Sequence, residues 1–163
     1  IEALRRTSDP RRYALVVIGK AHARVKQRLQ ARCAGRVHSV WLDRVPDPAQ
    51  YYRGSDVMLF PTLYDSFANV IGEALCCGLP VITTCQAGGA EMIEPGVNGF
   101  VVRDAHALDE LAQCLNQCAQ PGACAALSSR AGLRIDACSI ARCAEETERV
   151  LLLAWAEKQA RAL

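Results

Sequence analysis

Four polar side chains with regular spacing stand in a mostly apolar stretch near the middle of this 163-residue sequence. Ser66, Asn69 and Glu73 recur at i, i+3 and i+7, which predicts that they share one face of a helix. Asp65 comes just before them, about 12 Å from Glu73 if the helical rise holds throughout. Free N–H groups at the start of a helix favour an anion. The pattern suits an elongated polar ligand, with a phosphate at the helix start and hydroxyl groups on the two carboxylates.

Glu73 is the least expected residue of this helix. Its neighbours are nearly all apolar or small, so we expect the helix to be buried on most of its surface and Glu73 to need a partner. A simpler interpretation is that Glu73 faces solvent or an arginine, while Asp65 and Ser66 only cap the helix. The residues alone leave both interpretations open.

The elements around this helix alternate between strands and helices. Apolar runs predict strands at 13–18, 37–42, 56–60, 80–84 and 100–102, and the first run, ended by Gly19, indicates a strand buried on both faces. Further helices are predicted at 1–6, 21–34, 48–54, 105–119, 122–133 and 139–159. This order predicts one α/β domain over 1–163: a doubly wound parallel sheet with helices on both faces and a helical C-terminal extension.

Ligands of such sheets bind outside the carboxyl ends of the strands. The loops at that edge are 19–20, 43–45, 61–69, 84–89 and 103–104, so the central motif lies on it. Gly88 and Gly89 would let a ligand approach the backbone closely, although a plain tight turn explains them equally well.

Composition excludes several classes of function. The net charge of +2 gives no reason to expect nucleic acid, and no apolar run approaches the length of a membrane span. The nine cysteines form no C-x2-C pair, so we expect no metal site and interpret them as small buried residues in a reducing cytoplasm.

The chain opens without methionine, inside a helical pattern, so we expect a piece of a longer protein.

The helix at 21–34 is strongly basic. We expect Val25 and Leu29 to face inward, and its basic side chains, which are Arg24, Lys26, Arg28 and Arg32, to face outward. Such a face is solvated or lies on a membrane surface, and both interpretations stay open.

Five segments together resemble one protein family. They are SDVMLFPT at 55–62, DSFANVIGEAL at 65–75, CGLPVI at 77–82, GGAEMI at 88–93 and GVNG at 96–99. They resemble the C-terminal, donor-binding domain of retaining GT-B glycosyltransferases of family 4, most closely enzymes that add a hexose to the lipopolysaccharide core. The resemblance covers nearly the whole chain.

The resemblance implies a role for each matching residue. Glu73 would hold the ribose 2′- and 3′-hydroxyls of a nucleotide sugar, and the backbone amides of Asn69 and Val70 would bind its diphosphate. Asp65 takes the place of a family glutamate that contacts the donor sugar, and it is one methylene shorter. The loop after the second strand, around Arg44, would receive the base.

The implied activity is transfer of a hexose, with UDP-glucose as the expected donor, to a lipopolysaccharide-core or related cell-envelope acceptor. No cofactor or metal is implied, since the chain has no Asp-x-Asp and the helix dipole would replace the cation. The expected location is cytoplasmic, peripheral at the inner face of the cytoplasmic membrane. The family's phosphate-binding basic residues, first strand and acceptor domain would lie outside this sequence, so we expect these residues alone to be inactive. The alternatives are a non-catalytic sugar-nucleotide-binding or interaction domain, and a sugar-nucleotide epimerase, which the spacing of Asp65 and Glu73 disfavours.

Overall fold

The computed structural model of the protein describes residues 1–132 and 139–161. The predicted end of a helix at 133 and Cys138 lie outside these residues. The described part contains five strands and seven α-helices, which are α1 (Glu2–Arg5), β1 (Ala14–Ile18), α2 (Ala23–Cys33), β2 (His38–Leu42), α3 (Ala49–Arg53), β3 (Met58–Phe60), α4 (Asn69–Cys76), β4 (Val81–Thr84), β5 (Gly99–Val102), α5 (Leu108–Cys118), α6 (Ala123–Ala131) and α7 (Ile140–Ala160). Two 3₁₀ turns add Pro10–Arg12 and Gly88–Met92.

All five strands pair in parallel, which confirms the predicted α/β class. They form two sheets instead of one, with β1 beside β2 and with β4 between β3 and β5. Val16 lies opposite Val40 in the first sheet, and Ile82 lies between Leu59 and Phe100 in the second. Within the described residues, no strand pairs with both β1 or β2 and a strand of the second sheet, so the two sheets stay separate.

Apolar cores cover both faces of the three-stranded sheet, as predicted for a doubly wound fold. Side chains alternate along β4, so Val81 and Ile82 enter different clusters. Val81 packs in the cluster that contains Ile71 of α4. Ile82 packs in the cluster that contains Leu111 of α5, and Leu15 of β1 lies against that same cluster. This second core therefore joins the two sheets on one side.

The expectation that the first strand is buried on both faces is wrong. Val16 and Ile18 are 41% and 38% exposed, and Val40 on the paired strand is 42% exposed. The opposite face of β1 packs through Leu15. An apolar run makes a strand suitable for burial on both faces, but burial also needs a covering element, and no other part of the described chain covers Val16 and Val40.

The basic helix α2 faces solvent more completely than its sequence predicts. Val25 is half-exposed, so the expectation that it faces inward is wrong, while Leu29 is half-buried. Cys33 at the end of the helix supplies its buried contact. The helix attaches to the fold mainly through this last turn, which leaves its first turns uncovered.

Helices α5 and α6 pack on the core, whereas α7 does not. None of the residues of α7 is buried, and its exposed apolar side chains include Leu151, Leu152 and Trp155. None of the helices in residues 1–132 and 139–161 combines the length and the apolar character that a membrane span requires.

The cysteines do not form the buried set that we expected. Cys33 and Cys118 are buried, but the other described thiols are half-buried or exposed. Burial raises the pKa of the Cys118 thiol to about 12, with smaller contributions from Cys124 and Cys114. The cysteine side chain is small and weakly polar, so it fits both in the core and at the surface. The number of cysteines in the sequence could therefore not decide whether each one is buried.

Candidate functional site

Helix α4 begins at the carboxyl end of β3, after the loop 61–68. Ala68, its N-cap residue, has a left-handed backbone (φ 59°, ψ 69°) and is the one non-glycine residue with positive φ in the described part of the chain. No side chain of residues 1–132 or 139–161 caps the helix. Among the described residues, the N–H groups of Asn69 and Val70 have no acceptor. Two unsatisfied donors therefore point out of the helix start, where the helix dipole adds partial positive charge.

The polar stripe at the start of this helix is shorter than its spacing predicts. Ser66 lies in the loop, because the left-handed residue Ala68 prevents the helix from extending back to it. Asp65 does not cap the helix either: its Oδ1 accepts a hydrogen bond from the N–H of Phe67 at 3.1 Å. Asn69 and Glu73, one turn apart, are the polar residues that remain on this face of α4.

The loop that carries Asp65 is held by the turn that follows β4. The Asp65 N–H donates to the carbonyl oxygen of Gln86 at 3.2 Å, and the Gly88 N–H donates to the carbonyl oxygen of Asp65 at 2.9 Å. A Cβ atom on Gly88 would overlap the carbonyl oxygen of Ser66, and one on Gly89 would overlap that of Phe67. The glycines are therefore required by the packing of the chain on itself, a reason that the sequence analysis did not anticipate.

Two buried threonines fix the start of the same loop. Thr83 Oγ1 donates to the carbonyl oxygen of Phe60 at 2.9 Å, and Thr84 Oγ1 donates to that of Thr62 at 2.7 Å. Both threonines are completely buried. These bonds tie the end of β3 to β4, so the loop before α4 starts from a rigid edge.

Glu73 is exposed, so the expectation of a buried carboxylate is wrong. The expected partner is nevertheless present: the Tyr52 hydroxyl donates to Glu73 Oε2 at 3.1 Å. Burial, then the hydrogen bond to Glu73 and then the negative charge of Glu73 raise the pKa of Tyr52 to about 12. Sequence reasoning missed Tyr52, because it lies 21 residues away on another helix.

The structure brings together most of the predicted site residues. Asp65 and Ser66 contact Gly88 through the backbone, and Gly89 lies against Phe67. Asn69, Val70 and Glu73 follow on the adjoining helix. Arg44 is the exception. It is exposed in the loop after β2, and no hydrogen bond or ion pair joins it to another described residue.

No group of three or more histidine, cysteine, aspartate or glutamate side chains that could hold a metal ion occurs in residues 1–132 and 139–161. Independence from metals stays a prediction. The groups that can bind a ligand here are the free N–H donors of Asn69 and Val70 and the carboxylate of Glu73. They are separated by about 6 Å along the helix axis, given a rise of 1.5 Å per residue. This arrangement can bind a molecule with an anionic group next to hydroxyl groups.

Curated relatives match part of the chain. It is 47% identical over 47 residues to a sucrose synthase of Beta vulgaris, covering 29% of this chain and 6% of that one. It is 38% identical over 63 residues to the capsular polysaccharide biosynthesis glycosyltransferase CapM of Staphylococcus aureus, covering 39% of this chain and 17% of that one. The chain thus spans a small fraction of the length of these relatives.

Solved structures match over most of the chain. WaaG, a glycosyltransferase involved in lipopolysaccharide biosynthesis, superposes with a TM-score of 0.68 and 24% identity, covering 76% of this chain and 34% of that one. Anabaena HepE in complex with UDP and glucose gives a TM-score of 0.70 and 24% identity, covering 82% of this chain and 38% of that one. The fold agrees with one domain of GT-B glycosyltransferases.

The sequence family described as "Glycosyl transferases group 1" matches residues 1–120. This match includes the loop 61–68, helix α4 and the turn after β4, which together form the site. The chain therefore belongs to the group 1 glycosyl transferase family.

Proposed function

We propose that this chain binds the donor of an enzyme that transfers a hexose from a nucleotide-diphospho-sugar with retention at the anomeric carbon. UDP-glucose is the proposed donor, and a lipopolysaccharide-core or related cell-envelope glycan is the proposed acceptor. The single observation that carries the proposal is the placement of the exposed Glu73 one turn after the free N–H groups of Asn69 and Val70.

The diphosphate of the donor would lie at the start of α4. Its oxygens would accept hydrogen bonds from Asn69 and Val70, which have no acceptor within the described residues. When the sugar leaves, negative charge grows on this diphosphate. Preorganised N–H groups and the helix dipole stabilise that charge without moving, which lowers the barrier to transfer. We propose that they do so without a metal ion.

Glu73 would bind the ribose. A carboxylate accepts about four hydrogen bonds, enough for both hydroxyls of a cis diol together with a protein donor. Bonds to a charged acceptor are stronger than neutral ones. Because Glu73 is exposed, a ligand reaches it without displacing any part of the core.

Asp65 would contact the donor sugar. Its Oδ1 already accepts from the Phe67 N–H, which fixes the side chain, while its second oxygen has no partner within the described part of the chain. Ser66, Gly88 and Gly89 adjoin it and would line the sugar subsite. Arg44 would contact the base, a role for which it offers an exposed guanidinium that no other described residue pairs.

The comparisons support this choice of donor and acceptor. HepE is known in complex with UDP-glucose, at 25% identity and a TM-score of 0.61 to this chain. WaaG is involved in lipopolysaccharide biosynthesis, and CapM in capsular polysaccharide biosynthesis. An acceptor of the cell envelope would place the enzyme at the inner face of the cytoplasmic membrane, as a peripheral protein in the cytoplasm.

Donor turnover by the complete natural protein tests the proposal. We expect consumption of UDP-glucose in preference to UDP-galactose and GDP-mannose, with the anomeric configuration of the product, read by NMR, equal to that of the donor. Asp65→Asn and Glu73→Ala should each lower turnover, while the control Asp109→Asn, at an exposed carboxylate on α5, should not. Residues 1–163 alone should show no transfer. Binding of UDP without turnover of any donor would instead support a non-catalytic sugar-nucleotide-binding domain.

A further inference from the structure

Tyr52 is the only residue of the described chain that forms a hydrogen bond with the Glu73 side chain, at 3.1 Å from Oε2. The tyrosine belongs to α3 and the glutamate to α4, two helices that contact each other. The Tyr52 ring packs against the cluster that contains Ile71 and Leu75, whereas the Glu73 carboxylate lies in solvent. The Tyr52 ring, which is fixed by packing, therefore holds the exposed Glu73 side chain by its Oε2 atom.

The geometry leaves room for a ligand. Of the roughly four acceptor positions of a carboxylate, the tyrosine occupies one on Oε2. No other donor from residues 1–132 or 139–161 reaches the Glu73 carboxylate. Oε1 and the second position of Oε2 stay available, and the bond to Tyr52 restricts the rotation that would otherwise turn them away.

We propose that Tyr52 is a positioning residue, whose hydroxyl orients the Glu73 carboxylate toward the two ribose hydroxyls of the nucleotide donor. This inference rests on the proposed function, since it assumes that Glu73 binds the ribose. It goes beyond that function by assigning recognition of the ribose to a pair of helices instead of one residue.

The proposed role requires that Tyr52 stays protonated, because only the neutral phenol donates a hydrogen bond. Its pKa, raised to about 12 by burial and by Glu73, satisfies this requirement at any pH at which the protein would work. Tyr51 provides a matched control. It lies on the same helix and is also half-buried, but its hydroxyl has no hydrogen-bond partner among the described residues.

Calorimetric binding to the complete natural protein tests the inference. The probes are UDP and 2′,3′-dideoxy-UDP, and the variants are Tyr52→Phe, Tyr51→Phe, Glu73→Ala and the Tyr52→Phe/Glu73→Ala double variant. Tyr52→Phe should weaken UDP binding by about five- to tenfold, as expected for the loss of one ordinary hydrogen bond. It should change the affinity for the dideoxy analogue less than twofold. Tyr51→Phe should change neither, and all variants should keep the thermal midpoint of the wild type within a few degrees.

The double variant separates a positioning role from an independent one. If Tyr52 acts through Glu73, removing both residues should weaken UDP binding no more than Glu73→Ala alone does. Equal losses for UDP and for the dideoxy analogue in Tyr52→Phe would overturn the inference, and so would additive losses in the double variant. If Glu73→Ala weakens UDP but Tyr52→Phe does not, the inference fails and the proposed function stands. If Glu73→Ala has no effect on UDP binding, both fail.

Discussion

Replacing Gly88 with alanine should loosen the loop that carries Asp65. An added Cβ would overlap the carbonyl oxygen of Ser66 and would lie 3.2 Å from the Phe67 Cα atom, so the two backbone segments must separate. Both atoms belong to the backbone and cannot rotate away. The separation breaks the two hydrogen bonds that join Asp65 to Gln86 and Gly88.

The expected cost follows from these contacts. Two lost backbone bonds contribute about 1–3 kcal/mol, and overpacking a tight contact adds about 1–3 kcal/mol, so we expect about 2–4 kcal/mol after partial relaxation. In native-state hydrogen exchange, this cost corresponds to faster exchange at the Asp65 and Gly88 amides by about 30-fold to several hundred-fold.

Gly72→Ala is the control for this experiment. Gly72 lies inside α4, and its added Cβ would meet only the flexible end of Met92, at 3.4 Å. Alanine is the better helix former by about 1 kcal/mol, so this variant should be as stable as the wild type or more stable. Unchanged exchange at Asp65 in Gly88→Ala would refute the close packing on which the reasoning rests.

Three further predictions concern residues around the site. Ala68→Gly should leave the free energy of unfolding within about 1 kcal/mol of the wild type, because relief of left-handed strain offsets the entropy of glycine. Ala68→Val should clearly destabilise the protein, and urea unfolding measures both effects. Asn98→Ala should cost about 2–4 kcal/mol, since it removes two buried bonds, one from the Glu94 N–H and one to the Met92 carbonyl oxygen. Asn116→Ala, at a half-buried side chain whose bonds from Ser8 are exposed to solvent, should cost less than about 1 kcal/mol. One tyrosine should titrate near pH 12 by ultraviolet absorbance, Tyr52→Phe should abolish this step, and Glu73→Gln should move it to lower pH. Because the folded pKa of Tyr52 exceeds the unfolded value of about 10, its stabilising contribution is complete below pH 10 and is lost as the pH rises through about 12.

The architecture was predictable because it depends on patterns that the sequence displays directly. Short apolar runs separated by helical segments specify parallel strands. The end of α4 follows from Gly78, whose positive φ of 76° terminates the helix. The burial of individual strands was less predictable. Val16 and Val40 have the composition of core residues, but their exposure depends on which other elements cover them.

The site was predicted in part, for a similar reason. The spacing of Asn69 and Glu73 placed both correctly on one helix, since periodicity is a local property. The prediction that Ser66 lies on the helix was wrong, because the left-handed backbone of Ala68 ends the helix before it. Alanine is the best helix former, so its presence at position 68 does not indicate such a break. The bond between Tyr52 and Glu73 joins two helices in space, and no local spacing encodes such a contact.

The central claim is that a nucleotide diphosphate binds at the start of α4. The most direct test is a titration of the complete, ¹⁵N-labelled protein with UDP, followed by the NMR chemical shifts of its backbone amides. The Asn69 and Val70 amides should shift most, because free N–H groups become hydrogen-bonded to phosphate oxygens, and inorganic sulfate should shift them in the same direction at higher concentration. Saturable UDP binding that leaves both amides unshifted would contradict a diphosphate site at the start of α4.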